Sequence, residues 1–358
     1  MTATSALPAG FSCRRVDTAR IATNVWTSGP EDGRPVLLLH GNLTTGGFWA
    51  YVAAALPDDV RVIAPDLRGF GLTDAAPVDA ARGLADMSDD VHALLDALGL
   101  AGAGRAVAAG WSMGGGVVQQ LLVDHPGDLA GAVLVAPLSP YGFGGTIGQD
   151  GRPATPDGAG TGGGAANAEF VRRLAEKDTS EGDPSSSPRL VLRTFFGPQD
   201  NADAVDEDFL VEQLLTTRTG EDFYPGDATS SESWPTVAPG DRGILNTMAP
   251  THFRTADALV GLDPKPPLTW VHGLDDQVVS DASLFDLATL GAAGVVPGWP
   301  GADVMPSQPM VAQTRAVLAR YAERGGTTRE VPLDGVGHGI PLARPQVVAD
   351  ELTALLPD

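Results

Sequence analysis

Short apolar runs closed by glycine, proline or aspartate alternate with stretches of helical spacing through the first third of the chain. Residues 35–39 (PVLLL) and 60–64 (VRVIA) read as buried strands, with a helix over residues 48–56 between them. Across residues 89–100, Val91, Leu94, Leu95 and Leu98 recur at the spacing of one helix face. A strand over 105–110, a helix over 114–125 and a strand over 131–137 follow. Alternation of this kind predicts a parallel sheet covered by helices on both faces.

The pattern breaks after Pro137. Residues 142–166 are dominated by glycine with scattered Pro, Asp and Thr, which predicts a mobile loop. Gly158-x-Gly160-x-x-Gly163 has the spacing of a dinucleotide fingerprint but follows polar residues instead of a strand, so it reads as a chance match. Helical stretches at 166–177, 189–196 and 205–217 precede an irregular Trp/Pro/Gly region that ends near Leu262. The alternation then resumes with a strand at 267–272, a helix at 308–324, a strand at 328–333 and a helix at 346–356. Residues 1–138 and 263–358 are therefore expected to form a sheet domain, with 139–262 inserted as a mainly helical cap. A Gly/Pro-bearing insertion at 281–306 is expected either at a pocket rim or on a remote surface.

Composition narrows the classes of function. With 23 Lys and Arg against 45 Asp and Glu, the net charge is −22, which repels phosphate backbones and anionic lipid. Nucleic acid and membrane partners are not expected. No stretch approaches the run of about 20 apolar residues that a membrane span requires. The single cysteine, Cys13, leaves no internal disulfide and no thiolate-rich metal site. Residues 1–20 lack the basic start and apolar run of a secretory signal, so a cytoplasmic location is the expectation.

Gly110-Trp-Ser-Met-Gly114 carries the G-x-S-x-G pattern between an apolar strand and a helix, where a tight turn needs glycine on both sides. Such a turn exposes the Ser112 hydroxyl above the sheet at a helix N-terminus. A serine hydroxyl needs a base to become a nucleophile. Of six histidines, only His338 lies in a loop after the last strand, behind a late acid, in the order this arrangement requires. The acid belongs at a strand's carboxyl end. The strand ending at Pro137 leads into no carboxylate, whereas the one ending at His272 leads into Gly273-Leu-Asp275-Asp276, so the acid is Asp276 or Asp275. The amides of Met113 and Asn42 are the candidate oxyanion donors. Trp111 and Tyr141 are candidate pocket residues, with Phe143, Phe195, Phe196, Phe223, Tyr224, Trp234 and Phe253 as further aromatics of the cap.

These motifs resemble the α/β-hydrolase superfamily. His40-Gly41-Asn42 matches its oxyanion turn, Asp66-Leu-Arg68-Gly-Phe-Gly71 its D-x-R-G-x-G stretch, and Gly110–Gly114 its nucleophile turn. Gly273–Asp276 matches its G-x-x-D acid, which favours Asp276, and Gly337-His338 its histidine loop. The resemblance implies a doubly wound, mostly parallel eight-stranded sheet with a cap after the sixth strand, and Asp66 and Arg68 as loop braces. Asn42 also resembles the halide-holding asparagine of haloalkane dehalogenases, but those enzymes use an aspartate where this chain has Ser112. The HGGG oxyanion motif of many lipases is absent. The implied function is a serine hydrolase cleaving a carboxylic ester or lactone of a small or medium apolar molecule through an acyl-enzyme, without cofactor or metal. Thioester, amide and C–C hydrolysis, perhydrolysis and acyl transfer share this machinery, and a non-catalytic ligand-binding role is a further alternative.

Overall fold

The computed structural model describes Leu7, residues 10–198 and residues 205–357. Part of the N-terminal stretch searched for a secretory signal lies outside the described residues, as do residues 199–204 of the expected cap.

Eight strands form one sheet: β1 Ser12–Asp17, β2 Ala22–Ser28, β3 Arg34–Leu39, β4 Val60–Pro65, β5 Ala106–Trp111, β6 Leu129–Val135, β7 Leu268–Gly273 and β8 Thr328–Leu333. Their order across the sheet is β1-β2-β4-β3-β5-β6-β7-β8. β2 runs antiparallel to both β1 and β4, and the remaining pairs are parallel. The expected mostly parallel eight-stranded sheet is thus present. Every residue of β5 and β7 is buried, as a strand covered on both faces requires.

The helices packed on the sheet are α1 Ala50–Ala55, α2 Ala85–Ala97 and α3 Met113–Asp124 near the front of the chain. Between β6 and β7 the chain leaves the sheet and forms α4 Ala168–Ala175, α5 Pro188–Val191, α6 Glu207–Leu214 and α7 Ala256–Gly261. After β7 come α8 Leu287–Ala292 and α9 Met310–Glu323, and after β8 come α10 Ile340–Ala343 and α11 Pro345–Leu355. No helix among the described residues is long and apolar enough to cross a membrane.

Several elements depart from the sequence pattern. β1 and β2 carried no apolar run: all of β1 is exposed or half-buried, and backbone pairing at the sheet edge holds it. α7 lies inside the region expected to be irregular, and α8 lies inside the 281–306 insertion. The helix expected over 48–56 opens as a 3₁₀ turn, Gly46–Trp49, capped by the Thr45 hydroxyl.

The glycine-rich stretch also differs from expectation. It is packed and tied down instead of hanging free. Gln313 of α9, fully buried, accepts from the Ser139 hydroxyl at 2.7 Å and donates to Thr146 Oγ1 and the Gly148 carbonyl at 2.9 Å each. Gln308 donates to the Gly142 carbonyl, and the Asn246 side chain accepts from the Gly163 amide at 2.7 Å. Glycine here lets a folded loop pass close to its neighbours, and the side chains that anchor it lie more than 80 residues away in sequence.

Candidate active site

Ser112 sits at the junction of β5 and α3 with φ 56° and ψ −120°, a backbone region that non-glycine residues rarely occupy. Such a residue carries roughly 1–3 kcal/mol of strain, which the surrounding packing must hold. Two glycines make the turn sterically feasible. A Cβ on Gly110 would lie 2.3 Å from the Gly114 carbonyl oxygen, and one on Gly114 would lie 2.2 Å from the Leu39 carbonyl oxygen. The Ser112 carbonyl accepts from the Gly115 and Leu138 amides, which fixes the turn from below. Met113 opens α3, so its amide has no acceptor within the helix.

The acid and the histidine come together from the ends of two neighbouring strands. His338 Nδ1 donates to Asp276 Oδ2 at 2.8 Å, with both side chains almost wholly buried. The other carboxylate oxygen of Asp276 accepts from the Val278 and Val279 amides at 2.7 and 2.9 Å. Asp275, the alternative, is exposed, so the spatial choice falls on Asp276. His338 Nε2 is buried and makes no hydrogen bond, to Ser112 or to any other group described. Trp111 Nε1 donates to the His338 carbonyl at 2.9 Å and packs against its ring, tying the histidine loop to the residue next to Ser112.

The remaining histidines are committed elsewhere. His40 donates from Nδ1 to the Gly41 carbonyl and accepts at Nε2 from the Leu67 amide, both at 2.8 Å, which defines a neutral tautomer. Complete burial pushes its pKa down to about 4. His92 and His125 stack on each other beside Asp128 and Asp89, and His272 meets Glu330.

The turn that follows His40 lies against the serine: the Cβ position of Gly41 is 3.1 Å from Ser112 Cβ. Its carbonyl is occupied by His40 and by the Thr44 hydroxyl, and Asn42 leaves a buried, unpartnered Oδ1. Asp66 accepts from Asn24, Trp26 and the amides of Gly46 and Leu72, joining β2 to the loops around this turn. Burial raises its pKa against those four hydrogen bonds. Arg68 clamps Asp90 of α2 through two bonds of 2.8 Å.

A cavity of about 520 Å³ opens beside these groups. Ser112, Met113 and Asn42 all line it, so the residues expected to hold an oxyanion share one space with the candidate nucleophile. Its other walls are mostly apolar, with Leu43, Leu138, Phe143, Phe170, Phe195, Phe196 and Tyr224 among them. Trp111 and Tyr141 are not part of that lining. Trp111 is spent on the His338 loop, as described, and Tyr141 is buried beneath Arg254, whose guanidinium lies 5.0 Å from its ring. Of the other cap aromatics, Phe253 is core and Trp234 Nε1 donates to the Pro297 carbonyl.

A further wall comes from the segment that follows Asp276, for most of which the sequence left a pocket rim and a remote surface as alternatives. Val278, Val279, Leu284, Phe285, Asp286, Leu287, Leu290 and Val295 all border the cavity. The 281–306 insertion is therefore at the pocket and not on a remote surface. Its run of apolar residues around α8 was the available signal, but a helix of six residues carries too little periodicity to reveal which side faces inward.

A sequence-family model described as "alpha/beta hydrolase fold" matches residues 34–296, from β3 into the insertion that holds α8. The chain belongs to the α/β-hydrolase fold family. Among curated relatives, this α/β-hydrolase is 42% identical over 108 residues to the putative carbamate hydrolase RutD of Variovorax paradoxus, covering 30% of this chain and 39% of that protein. It is 30% identical over 119 residues to the carboxylesterase YbfK of Bacillus subtilis, covering 33% and 39% of the two chains. The chain thus aligns with about two fifths of the length of these relatives. Solved structures of the same fold include the esterase RhEst1 from Rhodococcus sp. ECU1013, with a TM-score of 0.56, 24% identity and coverage of 96% and 98%. The carboxylesterase CesB (YbfK) from Bacillus subtilis gives a TM-score of 0.58, 16% identity and coverage of 98% and 92%.

Proposed function

We propose that the protein is a serine hydrolase that cleaves a carboxylic ester or lactone through an acyl-enzyme. Ser112 is the nucleophile, His338 the general base and acid, and Asp276 the group that orients the imidazole and stabilises its charged form. The observation that carries this reading is the buried Asp276–His338 pair at 2.8 Å with Nε2 left unpartnered, together with a strained serine beside a cavity.

In the first step Nε2 takes the Ser112 proton while Oγ bonds to the substrate carbonyl carbon. The carbonyl oxygen becomes an oxyanion held by the Met113 and Asn42 amides, a contribution commonly worth about 3 kcal/mol per donor. Collapse expels the alcohol, which receives the proton from His338. Water, deprotonated by the same Nε2, then releases the acid and restores Ser112. Residues 139–262 act as the cap in this reading, supplying Phe143, Phe195, Phe196 and Tyr224 to an apolar binding space. Esterases among the similar proteins agree with this choice of bond.

A panel of p-nitrophenyl esters, lactones and thioesters of graded acyl length tests the proposal. Ser112→Ala is expected to lose turnover on every substrate, together with labelling by a fluorophosphonate probe. Retention of either in that variant refutes the assignment.

A further inference from the structure

We infer that the cavity is built for a substrate carrying a cationic ammonium group, recognised by Asp286 and the aromatic rings beside it. This inference rests on the hydrolase reading for the ester bond, and adds the chemical class of the group attached to it.

Asp286 is the one charged residue among the described lining of the cavity, which holds no Arg, Lys or His. It is 3% exposed, and no charged group among the described residues acts on its ionisation. One carboxylate oxygen accepts from the Ala288 amide at 3.0 Å and the other from the Gln308 amide at 2.8 Å. Each oxygen thus retains a free lone pair.

Two backbone amides, that of Ala288 at the start of α8 and that of Gln308, hold the carboxylate, and no cationic side chain accompanies it in the described lining of the cavity. Burying an unpaired carboxylate is costly, and here burial pushes its ionisation upward against the two amide bonds. A bound cation relieves that cost. The rest of the wall is suited to one, because aromatic rings attract an ammonium desolvated beside them. Phe143, Phe195 and Phe285 line the cavity with Asp286, and Phe195 meets Phe285 edge-on with ring centroids 4.8 Å apart. The net charge of −22 draws cations toward the protein in the same sense.

The test compares butyrylcholine with its neutral isostere, 3,3-dimethylbutyl butyrate. The protein is expected to favour the cationic ester at least tenfold in kcat/KM. In Asp286→Asn that ratio falls to near one, because the charge is removed; the carboxamide keeps one acceptor oxygen and turns its NH₂ toward the second backbone amide, so the thermal transition of the variant is measured alongside. Phe285→Leu, at a partly exposed position, serves where the first variant folds poorly, and it lowers the same ratio severalfold. A ratio near one in the parent protein, or one unchanged by both substitutions, overturns the inference. A merely structural role for Asp286 reduces both esters alike and also overturns it. If neither ester turns over, titration calorimetry with butyltrimethylammonium decides: binding lost in Asp286→Asn supports the inference, and no binding to the parent overturns it. Fluorophosphonate labelling of Ser112, run alongside, reports on the hydrolase reading independently.

Discussion

Replacing Asp276 by asparagine removes one negative charge and almost no volume, and it acts on the histidine alone. In the parent protein Oδ2 accepts the Nδ1 proton at 2.8 Å, while Oδ1 is occupied by the Val278 and Val279 amides. In Asp276→Asn the same two amide donors hold the carboxamide oxygen in the Oδ1 position, so the new NH₂ group must face Nδ1. The imidazole then takes the other tautomer, with the proton on Nε2, where the proposed mechanism requires the serine proton to arrive. The variant also loses the charge that stabilises the imidazolium. For unit charges about 4 Å apart at an effective dielectric of about 20, that attraction is about 4 kcal/mol. Each 1.4 kcal/mol is a factor of ten, so kcat is expected to fall roughly a thousandfold with KM changed little. Steady-state kinetics on a p-nitrophenyl ester, with the thermal transition of both proteins as a folding control, measures this. A loss of less than tenfold in a folded variant shows that Asp276 does not serve the histidine in the reaction, and refutes the reasoning.

Gly114→Ala places a Cβ 2.2 Å from the Leu39 carbonyl and 2.5 Å from the His40 carbonyl, both backbone atoms, so the turn must open. Thermal denaturation should register a loss of about 3 kcal/mol or more, with turnover reduced further than stability. Trp111→Phe deletes the indole donor that holds the His338 carbonyl, leaving that oxygen only the Ile340 amide, at a cost of about 1 kcal/mol. Kinetics should show a fall in kcat larger than any change in KM. His40 is neutral in the fold, with its pKa lowered from 6.5 to about 4, so its contribution is complete above pH 6.5 and is lost as pH falls toward 4. The shift corresponds to about 3 kcal/mol, and urea unfolding at pH 7 and pH 4 should show a shallower pH dependence in His40→Gln than in the parent. Gln313→Ala removes the bonds that tie Ser139, Thr146 and the Gly148 carbonyl to α9, and faster hydrogen exchange confined to residues 139–166 is the expected signature.

The sheet interior was legible because it is written in short-range terms. β3, β5, β6 and β7 are covered on both faces, so each had to be an apolar run closed by a turn, and the intervening helices had to carry a one-sided stripe. The strand–turn–helix around Ser112 and the glycine loop holding His338 were visible for the same reason: their backbone shapes demand glycine at particular positions. β1 and β2 were not legible: β1 is an exposed edge strand and β2 carries Thr23 and Asn24 among its buried residues, so both rest on hydrogen bonds to strands that the local sequence does not name. Nor was the anchoring of residues 142–166, where glycine signals freedom in the chain and the restraint comes from Gln313 and Asn246 far away.

The amino-acid sequence alone thus specified the chemistry on offer: one serine in a strained turn, one histidine in the right place, and a choice of two aspartates. Tertiary structure made the choice. Asp276 points inward to His338 while Asp275 faces solvent, because successive residues leaving a strand diverge to opposite sides and only packing decides which side is the interior. It also took Trp111 and Tyr141 out of the pocket and put Phe285 and Asp286 into it. The shape of a binding space is set by segments that meet only after folding, so what the serine faces is a property of the assembled walls and not of the motif that carries it.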